Sequence, residues 1–144
     1  MDWQLIYLYN NFIIPMLFAI YDYVNAQGKN EFKEWTEELQ KAQRARLNEK
    51  LDKLEKHGDE LFPNILTGTG TAGILKLRVK GNVQLRPLLC KGPVDVSSEY
   101  TLLMGAKEIG EKWAPKDAPN RANDKKGEVV ADPDRRRIKH ERVS

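Results

Sequence analysis

Four long cationic side chains, Lys76, Arg78, Lys80 and Arg86, crowd the run Ile-Leu-Lys-Leu-Arg-Val-Lys-Gly-Asn-Val-Gln-Leu-Arg-Pro-Leu-Leu-Cys at residues 74–90. Side chains alternate between the faces of a strand, so 76, 78 and 80 share one face while Leu75, Leu77 and Val79 share the other. Three cations on one face do not belong to a core. They suit a solvated sheet face, which antiparallel sheets commonly leave wet, or a surface that binds phosphate, for which Arg86 offers a planar, two-pronged donor. Another cation, Lys107, and an indole, Trp113, follow the next apolar run, and Arg135, Arg136 and Arg137 form a triplet further on. The triplet reads as a solvated run or as a contact for RNA or a partner. Trp113 reads as an aromatic that closes the core or as a flat surface for a base.

These residues need a sheet to hold them, and the chain supplies one in outline. Residues 16–24, rich in aromatic and branched side chains, predict a first strand. After a turn around Gly28, Asn30 is placed to cap a helix with Phe32, Trp35 and Leu39 on its apolar face. A second helical period runs through Leu47, Leu51 and Leu54, and the slip between the two periods predicts a break near Gln40. That second helix should end at His57, a cation favoured by the helix dipole, before Gly58. Residues 63–73 carry loop chemistry. Their glycines lack the Gly-Lys-Ser/Thr of a nucleotide loop, and a strand follows instead of a helix. Strands over 74–80, 83–90 and 100–105, linked by a Gly81-Asn82 turn and a polar loop at 91–99, predict an antiparallel meander. Pro87 cannot donate to a ladder, so the middle strand should be bulged there, re-aiming Arg86. The expected fold class is α+β: a small antiparallel or mixed sheet of about four strands with an N-terminal helical hairpin packed on one face.

At 144 residues one domain is expected. Its charge is unevenly spread: residues 1–75 hold 8 Lys+Arg against 11 Asp+Glu, and residues 76–144 hold 16 against 10, so an anionic partner would be met in the second half. A single cysteine, Cys90, excludes an internal disulfide framework, and with two histidines it makes no convincing metal site. Cys90 reads as a small buried hydrophobe, and a reducing cytoplasm fits. The apolar stretch at 5–20 is interrupted by Asn10, Asn11 and Pro15, is short for a membrane span and has no basic residue before it. Residues 1–15 are therefore an apolar N-terminal extension, either packed on the domain or read in from a start misassigned to Met1 instead of Met16. Residues 114–144, with their prolines and charges, predict a largely extended tail, in which Asp132-Pro133-Asp134 can open a short helix.

Taken in order, the leading strand, Asn-Glu-Phe-Lys-Glu-Trp at the first helix, Leu-Lys-Leu-Arg-Val, Leu-Arg-Pro and Leu-Leu-Met-Gly-Ala-Lys-Glu resemble the RelE/HigB toxin superfamily, nearest its phage Gp49-like branch. The resemblance covers roughly residues 16–113, with a weaker echo in Asp-Pro-x-Arg-Arg-Arg. It implies a RelE-like fold and the toxin of a type II toxin-antitoxin system, acting in the cytoplasm on mRNA at the ribosome and silenced by a helix-turn-helix antitoxin. It calls for no cofactor, no metal and no membrane. By the same resemblance Arg86, Lys76 and Lys107 are catalytic, and Arg78 and Trp113 bind RNA; beside them Lys80, at the turn, reads as a charge that steers RNA, and the Arg135, Arg136 and Arg137 triplet as the tail's candidate RNA contact. In such cleavage the ribose 2′-OH attacks the adjacent phosphorus, and fixed cations stabilise the charge that builds on the phosphoryl oxygens. Lysines crowded by cations are also expected to titrate low enough to move a proton. The chain departs from the family in having Leu85 before the arginine and no histidine at the exit of the last strand. Two other readings remain open: a gyrase inhibitor of the related ParE type, and an inactive phage relic that still binds RNA or antitoxin.

Overall fold

The computed structural model describes residues 6–9 and 12–15 as backbone and residues 17–144 in full. In chain order the elements are β1 (Ile6–Tyr9), β2 (Phe12–Pro15), β3 (Ala19–Tyr23), α1 (Glu31–Glu37), α2 (Lys41–His57), β4 (Leu66–Gly68), β5 (Leu75–Leu77), β6 (Gln84–Leu85), β7 (Leu88–Lys91), β8 (Glu99–Met104), β9 (Lys107–Ile109), β10 (Lys112–Ala114), α3 (Ala118–Ala131), α4 (Pro133–Arg136) and β11 (Arg137–Lys139). Asn30 does cap α1, its side chain accepting from the Lys33 amide, and the helical path breaks before Lys41. β1 and β2 pair as a separate antiparallel hairpin. The two expectations for residues 1–15, a packed extension or a misassigned start, rest largely on residues outside those described.

The expected fold needs correction. The protein is α+β, but among the described residues its main sheet has six strands in the order β11-β3-β8-β7-β5-β4, and a second sheet has three, β10-β9-β6. It is not a four-stranded sheet covered on one face. The main sheet is mixed, because β3 runs parallel to β8 while its other neighbours are antiparallel. Two strands were hidden in segments that read as loop and tail. β4 lies in the glycine-bearing stretch before β5, and β11 starts inside the arginine triplet and pairs with β3.

The central strand explains why the sheet has cover on both faces. All six residues of β8 are buried, and such a strand cannot keep a wet side. Tyr100 and Leu102 face a core that includes Phe32, Leu47, Leu51 and Leu54 from α1 and α2. Leu103 and Met104 join a second core with Cys90, Ala118, Ala122 and Val129. The last three belong to α3, which packs on β7 and β8 where an extended tail was expected. Pro119 in the first turn does not oppose that helix, since its missing N–H has no intrahelical partner to lose.

Pro87 splits the expected strand at 83–90 into two. The Arg86 amide donates to the Ala106 carbonyl, beside β9, while the Pro87 carbonyl accepts from Leu77 of β5. Arg86 thus stands at the corner where the chain leaves the small sheet and enters the large one. β9 and β10 close into a hairpin across Gly110 and Glu111, with Gly110 at φ 63°, a conformation that suits glycine.

Candidate functional site

Across the small sheet, Gln84, Glu108 and Trp113 are direct neighbours on β6, β9 and β10, so their side chains share a face. Lys76 reaches the same place from β5. Its Nζ lies 2.6 Å from Glu108 Oε1, and Arg86 Nε lies 2.8 Å from that same oxygen. Lys76 Nζ also stands 5.3 Å from the centre of the Trp113 ring, within cation–π range. The three side chains are mostly withdrawn from water, at 14% for Lys76, 10% for Arg86 and 18% for Glu108, so the charges are screened only weakly. Burial alone raises the pKa of Glu108. The hydrogen bonds and charges of Lys76 and Arg86 together outweigh it, and the carboxyl is held below its ordinary value. Glu108 is therefore ionised at neutral pH. Its other oxygen, Oε2, accepts no hydrogen bond from any described residue.

Arg86 does not present the open fork expected of it. NH1 donates to the Leu85 carbonyl at 2.9 Å and NH2 to Gln84 Oε1 at 3.3 Å, so with Nε on Glu108 all three nitrogens are engaged within the protein. It fixes the carboxylate instead of reaching outward. Lys107 is not in the cluster. It lies opposite Leu85 and Ala114 in the small sheet, one residue from Glu108 and so on the other face. Beyond Trp113 opens a groove of about 700 Å³ lined by Thr69, Thr71, Lys112, Lys116, Asp117 and Asn120 as well as the indole. It is wide enough for a planar ring and has cations on its walls.

The remaining sequence candidates separate into two other places. Arg78 donates to the Asn64 carbonyl at 3.1 Å, and with Lys80 it lines a cavity against α2. The arginine triplet lies at the far edge of the main sheet, four strands from β5, about 19 Å at the usual strand spacing. Arg137 pairs with Glu99 and stacks 3.9 Å from the centre of the Tyr21 ring, and Arg136 reaches Glu128 at 3.3 Å. Those two brace the edge strand. Arg135 is 86% exposed and lies 3.9 Å from Asp132.

Glu108 is the site residue absent from the candidates the sequence offers. Its signal was present: Gly110 marks the tight turn of a hairpin that puts Glu108 beside Trp113. Cys90 is fully buried, and burial pushes its thiol up to about 11, which excludes it as a thiolate nucleophile at neutral pH. Among the described residues no group of three His, Cys, Asp or Glu side chains is placed to hold a metal ion, and no helix is long and apolar enough to cross a membrane. Compared with known proteins, the chain matches no family model, no curated protein and no solved structure.

Proposed function

We propose that the protein is an endoribonuclease toxin of a type II toxin-antitoxin system, cutting mRNA at the ribosome through Glu108, Lys76 and Trp113, with Arg86 as the positioning residue. The observation that carries this reading is one carboxylate with two contrasting oxygens. Oε1 is clamped by both cations and Oε2 accepts nothing from any described residue, and across the small sheet stands Trp113, whose indole lines an open groove. The resemblance of residues 16–113 to RelE/HigB toxins supports it, and implies cytoplasmic action and a helix-turn-helix antitoxin as partner.

In the proposed reaction a base of the RNA stacks on Trp113, an interaction worth about 1–3 kcal/mol per base. Glu108 Oε2 takes the proton of the ribose 2′-OH as its oxygen bonds to phosphorus. The bond from phosphorus to the 5′ oxygen breaks, and that oxygen takes a proton from the Lys76 ammonium. The products are a 2′,3′-cyclic phosphate and a 5′-hydroxyl. Glu108 then loses its proton from Oε2 to water, Lys76 regains one from water, and the pair is reset. Lys76, while charged, also offsets the charge growing on the phosphoryl oxygens.

The engaged state of Arg86 favours a second reading, in which the cluster is only a brace between the two sheets and the protein binds without cutting. Induced expression in bacteria, with mapping of mRNA 5′ ends, separates the two. The toxin reading expects growth arrest and new 5′ ends with the wild type, and loss of both with Glu108→Gln and with Lys76→Ala. Folded Glu108→Gln protein that still cut mRNA at the wild-type rate would overturn it. Intact mRNA with an induced DNA-damage response would point to gyrase instead.

A further inference from the structure

A second cationic site lies apart from the Glu108 cluster, between α2 and the segment that leaves β5. It is a cavity of about 230 Å³ lined by Arg46, Glu49 and Lys50 of α2, by Asn64 and Ile65, and by Arg78 and Lys80. Four cations face one carboxylate there. That carboxylate is shared, since Glu49 lies 3.9 Å from Lys50 in the lining and 3.6 Å from Lys53 outside it, and is itself 61% exposed. Arg46 and Lys80 form no ion pair and no hydrogen bond with any described residue. Arg78 is pre-positioned by the Asn64 carbonyl, and its amide bonds to the Ile65 carbonyl at 2.7 Å, extending the β4–β5 ladder. The Arg46 guanidinium lies against Gly81, where an added Cβ would come within 3.0 Å of it.

Arg46 and Lys50 are four residues apart on one helix, so their like charges oppose the helix that carries them. An anion seated between them removes that cost. Arg78 follows Lys76 by two residues of extended chain, about 7 Å, so the cavity continues the line of the candidate site along the sheet.

We infer that this cavity is a second phosphate subsite, which holds the RNA backbone to one side of the phosphate that is cut. This rests on the RNA-cleaving reading, yet the subsite can be measured without cleavage. The probe is a single-stranded RNA of about ten nucleotides, fully 2′-O-methylated so that it lacks the attacking hydroxyl, with binding followed by fluorescence anisotropy from low to high salt. In Arg46→Ala/Lys80→Ala both replaced side chains are exposed. The loss of two phosphate contacts should reduce the slope of log K against log salt by about 1.4, a weakening of about 25-fold at 0.1 M salt. Lys29→Ala/Lys33→Ala removes the same charge elsewhere and serves as the control. An unchanged slope in the first double variant overturns the subsite, as does an equal change in the control or a wild type that does not bind the probe. Ribosome-bound mRNA is tested for cleavage in parallel. Cleavage by the wild type with no effect of Arg46 and Lys80 on binding removes the subsite alone. The expected slope change without any cleavage removes the nuclease reading and leaves the subsite in place.

Discussion

Glu108→Gln is the most informative single change, because it removes one charge and little else. In the wild type the carboxylate satisfies Lys76 at 2.6 Å and Arg86 at 2.8 Å, with all three side chains at 18% exposure or less. A hydrogen bond to a charged group contributes about 1.5–3 kcal/mol. Removing one partner of a fully buried ion pair costs about 3–5 kcal/mol. Here some water remains and the Gln amide oxygen still accepts, so the expected loss is about 2–3 kcal/mol. For a domain of this size that lowers Tm by roughly 6–12 °C. The pH dependence has a definite sign. The folded pKa of Glu108 lies below its ordinary 4.5, so its contribution is complete above about pH 4.5 and is lost as pH falls through the folded value. Gln does not titrate. The gap between wild type and variant, measured by urea unfolding, should be widest near pH 6–7 and should narrow in the acid range. Equal stability at pH 7, or a gap that stays flat from pH 6 into the acid range, would refute the placement of Glu108 as the counter-charge of Lys76 and Arg86.

Three other perturbations follow from the packing. Gly105→Ala would put a Cβ 1.9 Å from the Trp35 ring, so thermal unfolding should register the overpacking cost of about 1–3 kcal/mol. Cys90 should resist a thiol reagent in the native protein and react at once in denaturant; fast native reaction would contradict its burial. Trp113→Ala should weaken binding of the 2′-O-methylated RNA by about 1–3 kcal/mol, and an unchanged Kd would remove the stacking role.

How much of this was legible in the sequence depends on the kind of signal each element carries. Helix α1 could be read because Asn30 is a side-chain cap and Phe32 and Trp35 are large. Helix α3 could not, because the face it buries is made of Ala118, Pro119, Ala122 and Val129, small residues that leave almost no periodic signature among charges. The second cover of the sheet was lost with it. β11 was equally hidden: a strand that starts with Arg137 and ends with Lys139 reads as a solvated charge run, yet it has a place because Glu99 and the Tyr21 ring receive its guanidinium. Pro87 worked in the opposite way. A residue that cannot donate in a ladder predicted a disturbance beside Arg86, and the structure makes that disturbance the corner between two sheets.

The same corner explains why the site was only half read. Of the expected site residues the fold brings Lys76, Arg86 and Trp113 together, whereas Lys107, expected to be catalytic, and Arg78, expected to bind RNA, lie elsewhere, and the acid was not among the candidates. Placement near β5 and β6 is not enough. A cation in the open can do without a counter-charge, as Arg46 and Lys80 do among the described residues, whereas an Arg86 side chain at 10% exposure costs several kcal/mol unless a counter-charge is within reach. A buried arginine at a strand corner therefore requires an acidic neighbour, and here the requirement is met from the next hairpin. Lys107 fails by the alternation that puts Glu108 on the other face, since β9 keeps a regular register with both neighbours and a regular strand turns consecutive side chains to opposite sides. The chemistry assigned to the site shifts accordingly, from a row of cations waiting for phosphate to a carboxylate that two cations keep ionised. Tests of function should thus begin at Glu108, with Arg86 as the residue that holds it.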